Sequence, residues 1–280
     1  MTQDNDILAP IAALPLWDGR PRFEPLSGGI SNLSFAATDG RGKYAVRLTR
    51  DFPFHDVYRD REVAVARAAH AKGFAPEVVY AAPGLMISRF IDGVPLTPAD
   101  VRAGIGRIVE LLGRFHREMA APTGSFRFDV FGINRRYLRD LQADARAGEW
   151  SAMNERFAEL QPDLPKVFAH HDLLAGNILD DGRRLWLIDF EYSGPGSPMF
   201  DLANLSSNAS FSAEQSRELL TAYFGSTDFE LPHRTMEAAS LLREGLWSLV
   251  SADKIRERDV DYRGYAEEQF RRLAGVLPDL

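Results

Sequence analysis

Three side chains in the stretch His170 to Phe190 (HHDLLAGNILDDGRRLWLIDF) have the types and spacing to do chemistry together. They are Asp172, Asn177 five residues on, and Asp189 twelve beyond that. A carboxylate to accept the proton of an attacking hydroxyl, with an amide and a second carboxylate to hold Mg²⁺, is the set that phosphoryl transfer requires. Magnesium is a hard ion that takes oxygen ligands, which Asn177 and Asp189 can supply. The residues between them say how they meet. Ile178-Leu179 and Leu185 to Ile188 are apolar runs around an Asp181-Gly182 turn, the pattern of a β-hairpin. Folding that hairpin returns Asp189 to Asn177, beside Asp172.

The elements that position this set divide along the chain. Strand patterns cover Arg22 to Leu26, Leu33 to Thr38, Tyr44 to Leu48, Glu77 to Ala81 and Leu85 to Phe90, with turns at Ser27-Gly28-Gly29, Asp39-Gly40 and Pro83-Gly84. A helix pattern from Asp56 to Ala71 closes at Gly73. The segment Ile91 to Pro95 reads as a connector. Beyond it, Thr97-Pro98 offers an N-cap with proline at the first helical position, opening a helix to about Met119. Further helices are expected near Arg135–Ala147, Ala213–Phe224, Thr235–Ala252 and Tyr262–Leu273, with the hairpin alone among them. The expectation is an α+β chain of two lobes, residues 1–91 strand-rich and 92–280 mainly helical, with a cleft between.

Bulk properties narrow the function. At 280 residues the chain can bury a sizeable core, and zero cysteines suit a reducing cytoplasm. The N-terminal stretch is acidic and interrupted by Pro10 and Pro15, unlike a secretion signal. No segment approaches the roughly 18 apolar residues of a membrane span. A net charge of −7 argues against nucleic-acid binding and is compatible with a cationic substrate.

The HHDLLAGN…LWLIDFEY run, with GPGSPMFDLANLSSN after it, LSGGISNLSF near the start and REGLWSLV near the end, resembles the choline/ethanolamine kinase group within the aminoglycoside-phosphotransferase-like kinases. The similarity spans almost the full length. It implies a protein-kinase-like two-lobe fold, with a small antiparallel-sheet lobe and a larger helical lobe. It implies an ATP- and Mg²⁺-dependent enzyme that phosphorylates the hydroxyl of a cationic amino alcohol, choline or ethanolamine. Thiamine, an aminoglycoside or another hydroxylated amine is the alternative acceptor, and a nucleotide-binding protein without transfer activity is the alternative class.

By that resemblance Asp172 is the catalytic base, and Asn177 and Asp189 ligate Mg²⁺. His170 braces the loop, as does Asp201. Ser27, Gly28, Gly29, Ser31 and Asn32 would cover the nucleotide phosphates through backbone N–H groups, although a Gly-Gly turn alone reads better as a plain hairpin turn. Arg47 stands where kinases place a phosphate-binding lysine, as in choline-type members, and its planar fork suits phosphate oxygens. Glu62 is its expected ion-pair partner, or else a solvated helix charge. His116 reads as a packed or capping histidine.

For the acceptor, the resemblance implies a cage of aromatic rings near acidic side chains. A quaternary ammonium donates no hydrogen bond and is held by cation–π attraction. Tyr192, Trp247 and Tyr265 would line the cage, with Glu191 adding negative charge. Trp247 lies among Leu241, Leu242, Leu246, Leu249 and Val250 and reads equally as core. Eukaryotic choline kinases tend to carry tryptophan where this chain has Glu244, on the same helix face as Trp247. Glu244 either pairs with an ammonium or is solvated and leaves the cage incomplete.

Overall fold

The computed structural model describes residues 2–26, 33–122, 126–255 and 260–277. Helix α1 (Thr2–Ala12) precedes five strands: β1 (Arg22–Pro25), β2 (Leu33–Asp39), β3 (Gly42–Leu48), β4 (Val78–Ala82) and β5 (Leu85–Arg89). They form one antiparallel sheet in the order β1-β2-β3-β5-β4. The two-residue period of a strand decides what each face does. Tyr44 and Val46 of β3 join Trp17, Phe35 and Ile87 in one apolar cluster. Arg47, the residue after Val46 and so out of phase with it, turns to the other face. Helix α2 (Arg59–Ala71) buries Val65, Ala66 and Ala69 together with two charged residues, Arg59 and Glu62. It starts three residues later than expected because Pro53–His55 forms a separate 3₁₀ turn.

The helical part begins with a two-strand-residue element, β6 (Val94–Pro95), and α3 (Pro98–Ala103), which opens on a capping box between Thr97 and Asp100. The single helix expected to run to Met119 breaks at Gly104, whose φ of −111° and ψ of 24° are not helical, and α4 (Ile105–Glu118) follows. Gly104 lacks the side chain that would favour continuing the helix. Next come α5 (Val130–Asp140), α6 (Ala147–Glu159) and β7 (Val167–Ala169). The helix expected at Arg135–Ala147 thus begins and ends earlier. The Asp129 side chain accepts from the Phe131 N–H and sets its start, an N-cap signal that composition alone obscured.

The hairpin is β8 (Ile178–Asp180) and β9 (Leu185–Leu187), closed where the Asp181 carboxylate accepts from the Arg183 and Arg184 N–H groups, both at 2.8 Å. It is not alone: β6 pairs with β8, and β7 pairs with β10 (Gly194–Gly196). The remaining helices are α7 (Pro198–Asn208), α8 (Ala213–Phe224), α9 (Glu230–Lys254) and α10 (Tyr262–Val276). The 25-residue α9 packs against α5, α6, α7 and α10 and is the spine of this part. A Cβ on Gly245 would collide with the Phe270 ring, so glycine there lets α10 come close. Among the described residues no helix is long and apolar enough to cross a membrane.

Candidate active site

The loop after β7 carries Asp172, and a single buried carboxylate shapes it. Asp201, on α7, accepts from the His170 N–H at 2.8 Å, the His171 N–H at 2.7 Å and His116 Nε2 at 3.0 Å. His171 adopts a left-handed φ of 62°, which a non-glycine residue holds only when its surroundings over-determine it. The His170 ring donates through Nε2 to the Ile188 carbonyl at 3.0 Å. Its expected bracing role is therefore a bond from the loop that carries Asp172 to the residue just before Asp189, past the end of β9. Asn204 Oδ1 accepts from the Leu173 N–H at 2.7 Å. A Cβ on Gly196 would strike the His171 ring, so the glycine lets β10 lie against the loop.

These supports bring the sequence-predicted triplet together. Asn177 Nδ2 donates to the Asp172 carbonyl at 2.9 Å, and the Ile188 N–H donates to the Asn177 carbonyl at 3.0 Å. Asp189 follows, also left-handed at φ 69°. Asp172 is half-buried at the cleft. Its carboxyl is held well above the usual aspartate range by loss of water, then by the charge of Glu244, with Arg243 opposing.

Above this loop lies a five-charge cluster. Arg47 donates to Glu62 at 2.6 Å and to Asp189 at 2.9 Å, so β3, α2 and the hairpin meet at one guanidinium. Arg59 donates to Glu62 at 2.7 Å and to Glu191 at 2.6 Å. Burial would raise the Asp189 carboxyl, but Arg47 and Arg59 pull it below its ordinary value. The Glu191 carboxyl is pushed the other way, by burial and by the charge of Asp189. Glu191, expected beside the acceptor, is therefore turned to the Asp189 side, because Arg59 draws it there. Carboxylate oxygens of Glu62, Asp189 and Glu191 lie within 4.8 Å of one another. An all-oxygen donor set of this kind fits a hard divalent cation. Sequence reasoning missed Arg59; its position three residues before Glu62 on one helix face was the available signal.

On the other side of Asp172, α9 and α10 present the residues expected for the acceptor. Trp247 Nε1 donates to the Tyr192 hydroxyl at 3.0 Å, and Tyr265 donates to Glu244 Oε2 at 3.3 Å. Trp247 stacks on His55 with ring centroids 5.1 Å apart and meets the Tyr262 edge. Arg243, buried and unassigned by sequence reasoning, pairs with Glu244 and lies over the Tyr192 ring, Cζ 4.4 Å from its centroid. His55 contributes from the small-lobe side, bonding Tyr137 at 2.9 Å and Ser251 at 2.8 Å. Burial and the charges of Arg243 and Arg136 push its ring down to about 2, so it stays neutral. Ser27, Gly28, Gly29, Ser31 and Asn32 fall outside the described residues.

A sheet lobe and a helical lobe that meet at an arginine–carboxylate cluster beside a half-buried aspartate define a phosphotransferase of the protein-kinase-like fold. The chain belongs to the phosphotransferase enzyme family (APH), which residues 22–238 match. A choline/ethanolamine kinase family protein from Mesorhizobium loti is 30% identical, with a TM-score of 0.80 over 99% of this chain and 95% of that one. Protein LicA of Haemophilus influenzae is 26% identical over 273 residues, which are 90% of this chain and 79% of that protein. Choline kinase LicA from Streptococcus pneumoniae, 20% identical, shares the fold with a TM-score of 0.76 over 98% of this chain and 100% of its own. The resemblance to the choline/ethanolamine kinase group drawn from the residues holds.

Proposed function

We propose that this enzyme is an ATP- and Mg²⁺-dependent cytoplasmic kinase that moves the γ-phosphoryl group to the hydroxyl of a small cationic amino alcohol, choline or ethanolamine. One observation carries the reading. Asp172 feels the charges of Asp189 and Glu191, which with Glu62 form a cluster of oxygen ligands, and also that of Glu244, which accepts from Tyr265. In this scheme the acceptor hydroxyl loses its proton to a carboxylate oxygen of Asp172 as its oxygen bonds to the γ-phosphorus. The bond from that phosphorus to the bridging oxygen breaks, and ADP leaves. Asn177 and Asp189 would hold Mg²⁺, with Glu191 within reach of the same position. When bound, that ion would draw negative charge from the phosphate oxygens. Arg47 would orient the nucleotide phosphates while keeping Asp189 ionised. Most of the rate gain in such a scheme comes from alignment and fixed charge, so Asp172 needs its position more than its basicity.

The test is ADP release from Mg-ATP in the presence of choline, ethanolamine, thiamine or an aminoglycoside, with Asp172→Ala as control. The reading requires turnover with choline or ethanolamine that disappears in the variant. Turnover with thiamine or an aminoglycoside alone, or none at all, overturns it.

A further inference from the structure

Two rings of the expected cage each have a face already taken. One face of Tyr192 already carries the Arg243 guanidinium, with Cζ 4.4 Å from the centroid. One face of Trp247 is covered by His55, its N–H is spent on the Tyr192 hydroxyl, and its edge meets Tyr262. What the pocket offers near Asp172 is an oxygen acceptor. Glu244 is held from both sides, with Oε1 paired to Arg243 and Oε2 accepting from Tyr265. An ionised carboxylate has about four lone-pair sites, so two remain for a ligand. Its nearness to Asp172 is independently marked, since its charge is second only to burial in raising that carboxyl. A carboxylate with fixed orientation and free lone pairs rewards a cation that can donate hydrogen bonds. A quaternary ammonium cannot do so.

We infer that Glu244 is the specificity-determining residue of the acceptor pocket, and that it selects an ammonium bearing N–H groups over a fully methylated one. Arg243 is its positioning residue. This rests on the amino-alcohol reading above and narrows it. Arg243 is 2% exposed, and it acts by fixing the Glu244 carboxylate and occupying one face of Tyr192.

The test is kcat/KM for ethanolamine and its N-methyl, N,N-dimethyl and trimethyl (choline) forms, on the wild type, Glu244→Gln and Arg243→Lys. A charge-assisted hydrogen bond lost to methylation corresponds to about tenfold to a hundredfold. The wild type should therefore fall by at least about tenfold along the series, and Glu244→Gln should flatten it to within about threefold. Arg243→Lys should raise the KM for ethanolamine with little change in the KM for ATP, which a merely structural role would not separate. Equal or better turnover of choline in the wild type overturns this inference and leaves the amino-alcohol kinase standing. A preference that survives Glu244→Gln overturns the role of Glu244. No turnover along the whole series, with Mg-ATP still bound by calorimetry, overturns both readings. The methylation series needs no variant, so a misfolded mutant does not shelter the inference.

Discussion

Arg47 donates to Asp189 at 2.9 Å across 142 positions of sequence, and the same guanidinium holds Glu62 at 2.6 Å. One arginine thus ties the sheet lobe, helix α2 and the residue at the end of the hairpin together. Arg47→Ala should raise the KM for ATP by about tenfold or more, for loss of a charged contact, with the acceptor KM changed by less than about threefold. Steady-state kinetics with each substrate varied will check this, and the reverse pattern would sink the assignment.

The Asp172 carboxyl lies well above its ordinary value, so the folded state carries a cost whenever this group is ionised. The sign follows: an acid whose folded value exceeds its unfolded one weakens the fold as pH rises from the unfolded value through the folded one. Asp172→Asn should therefore raise Tm at neutral pH by about 2–4 °C. The gain should shrink as pH falls through the raised value, where the wild type is protonated too. Activity should drop by about 10²–10⁴-fold. A Tm gain that does not depend on pH would refute the electrostatic cause.

Asp201 behaves oppositely. Burial would raise it, but the hydrogen bond from His116 and the neighbouring histidines hold it far below an ordinary aspartate. Its contribution to stability is present in full above the unfolded value, about 3.9, and fades as pH falls through the folded one. Asp201→Ala strips three donors of their acceptor and should destabilise by about 3–5 kcal/mol. Urea unfolding will measure it, and the fall in kcat should exceed any change in ATP affinity.

Trp247→Phe keeps an aromatic ring on His55 and deletes the bond to the Tyr192 hydroxyl. It should cost about 1 kcal/mol of stability and leave the acceptor KM within about threefold. A large, choline-specific rise in KM would instead mean that the indole face holds the ammonium.

The strands were legible because alternation and turn residues agree there. Leu33–Asp39, Gly42–Leu48 and Leu85–Arg89 fall where the pattern put them. The grouping of Asp172, Asn177 and Asp189 was legible from one hairpin. Helix α7 was not foreseen, because its residues read as a motif instead of as a helix opened by Ser197-Pro198. The side to which Glu191 turns was hidden as well. It depends on Arg59, 132 positions away, and no local spacing reports a long-range pair. Arg243 left a faint mark, a lone cation directly after Leu241-Leu242, and such a residue is buried only when paired.

His55 lies in the first ninety residues, yet its ring backs Trp247 and bonds Ser251 on α9 and Tyr137 on α5. The packing around Trp247 is consequently written in two distant parts of the gene. The lobes are not interchangeable cassettes: a chimera that took only its front part from a relative would put a foreign residue behind Trp247. It would also leave Tyr137 and Ser251 facing a stranger.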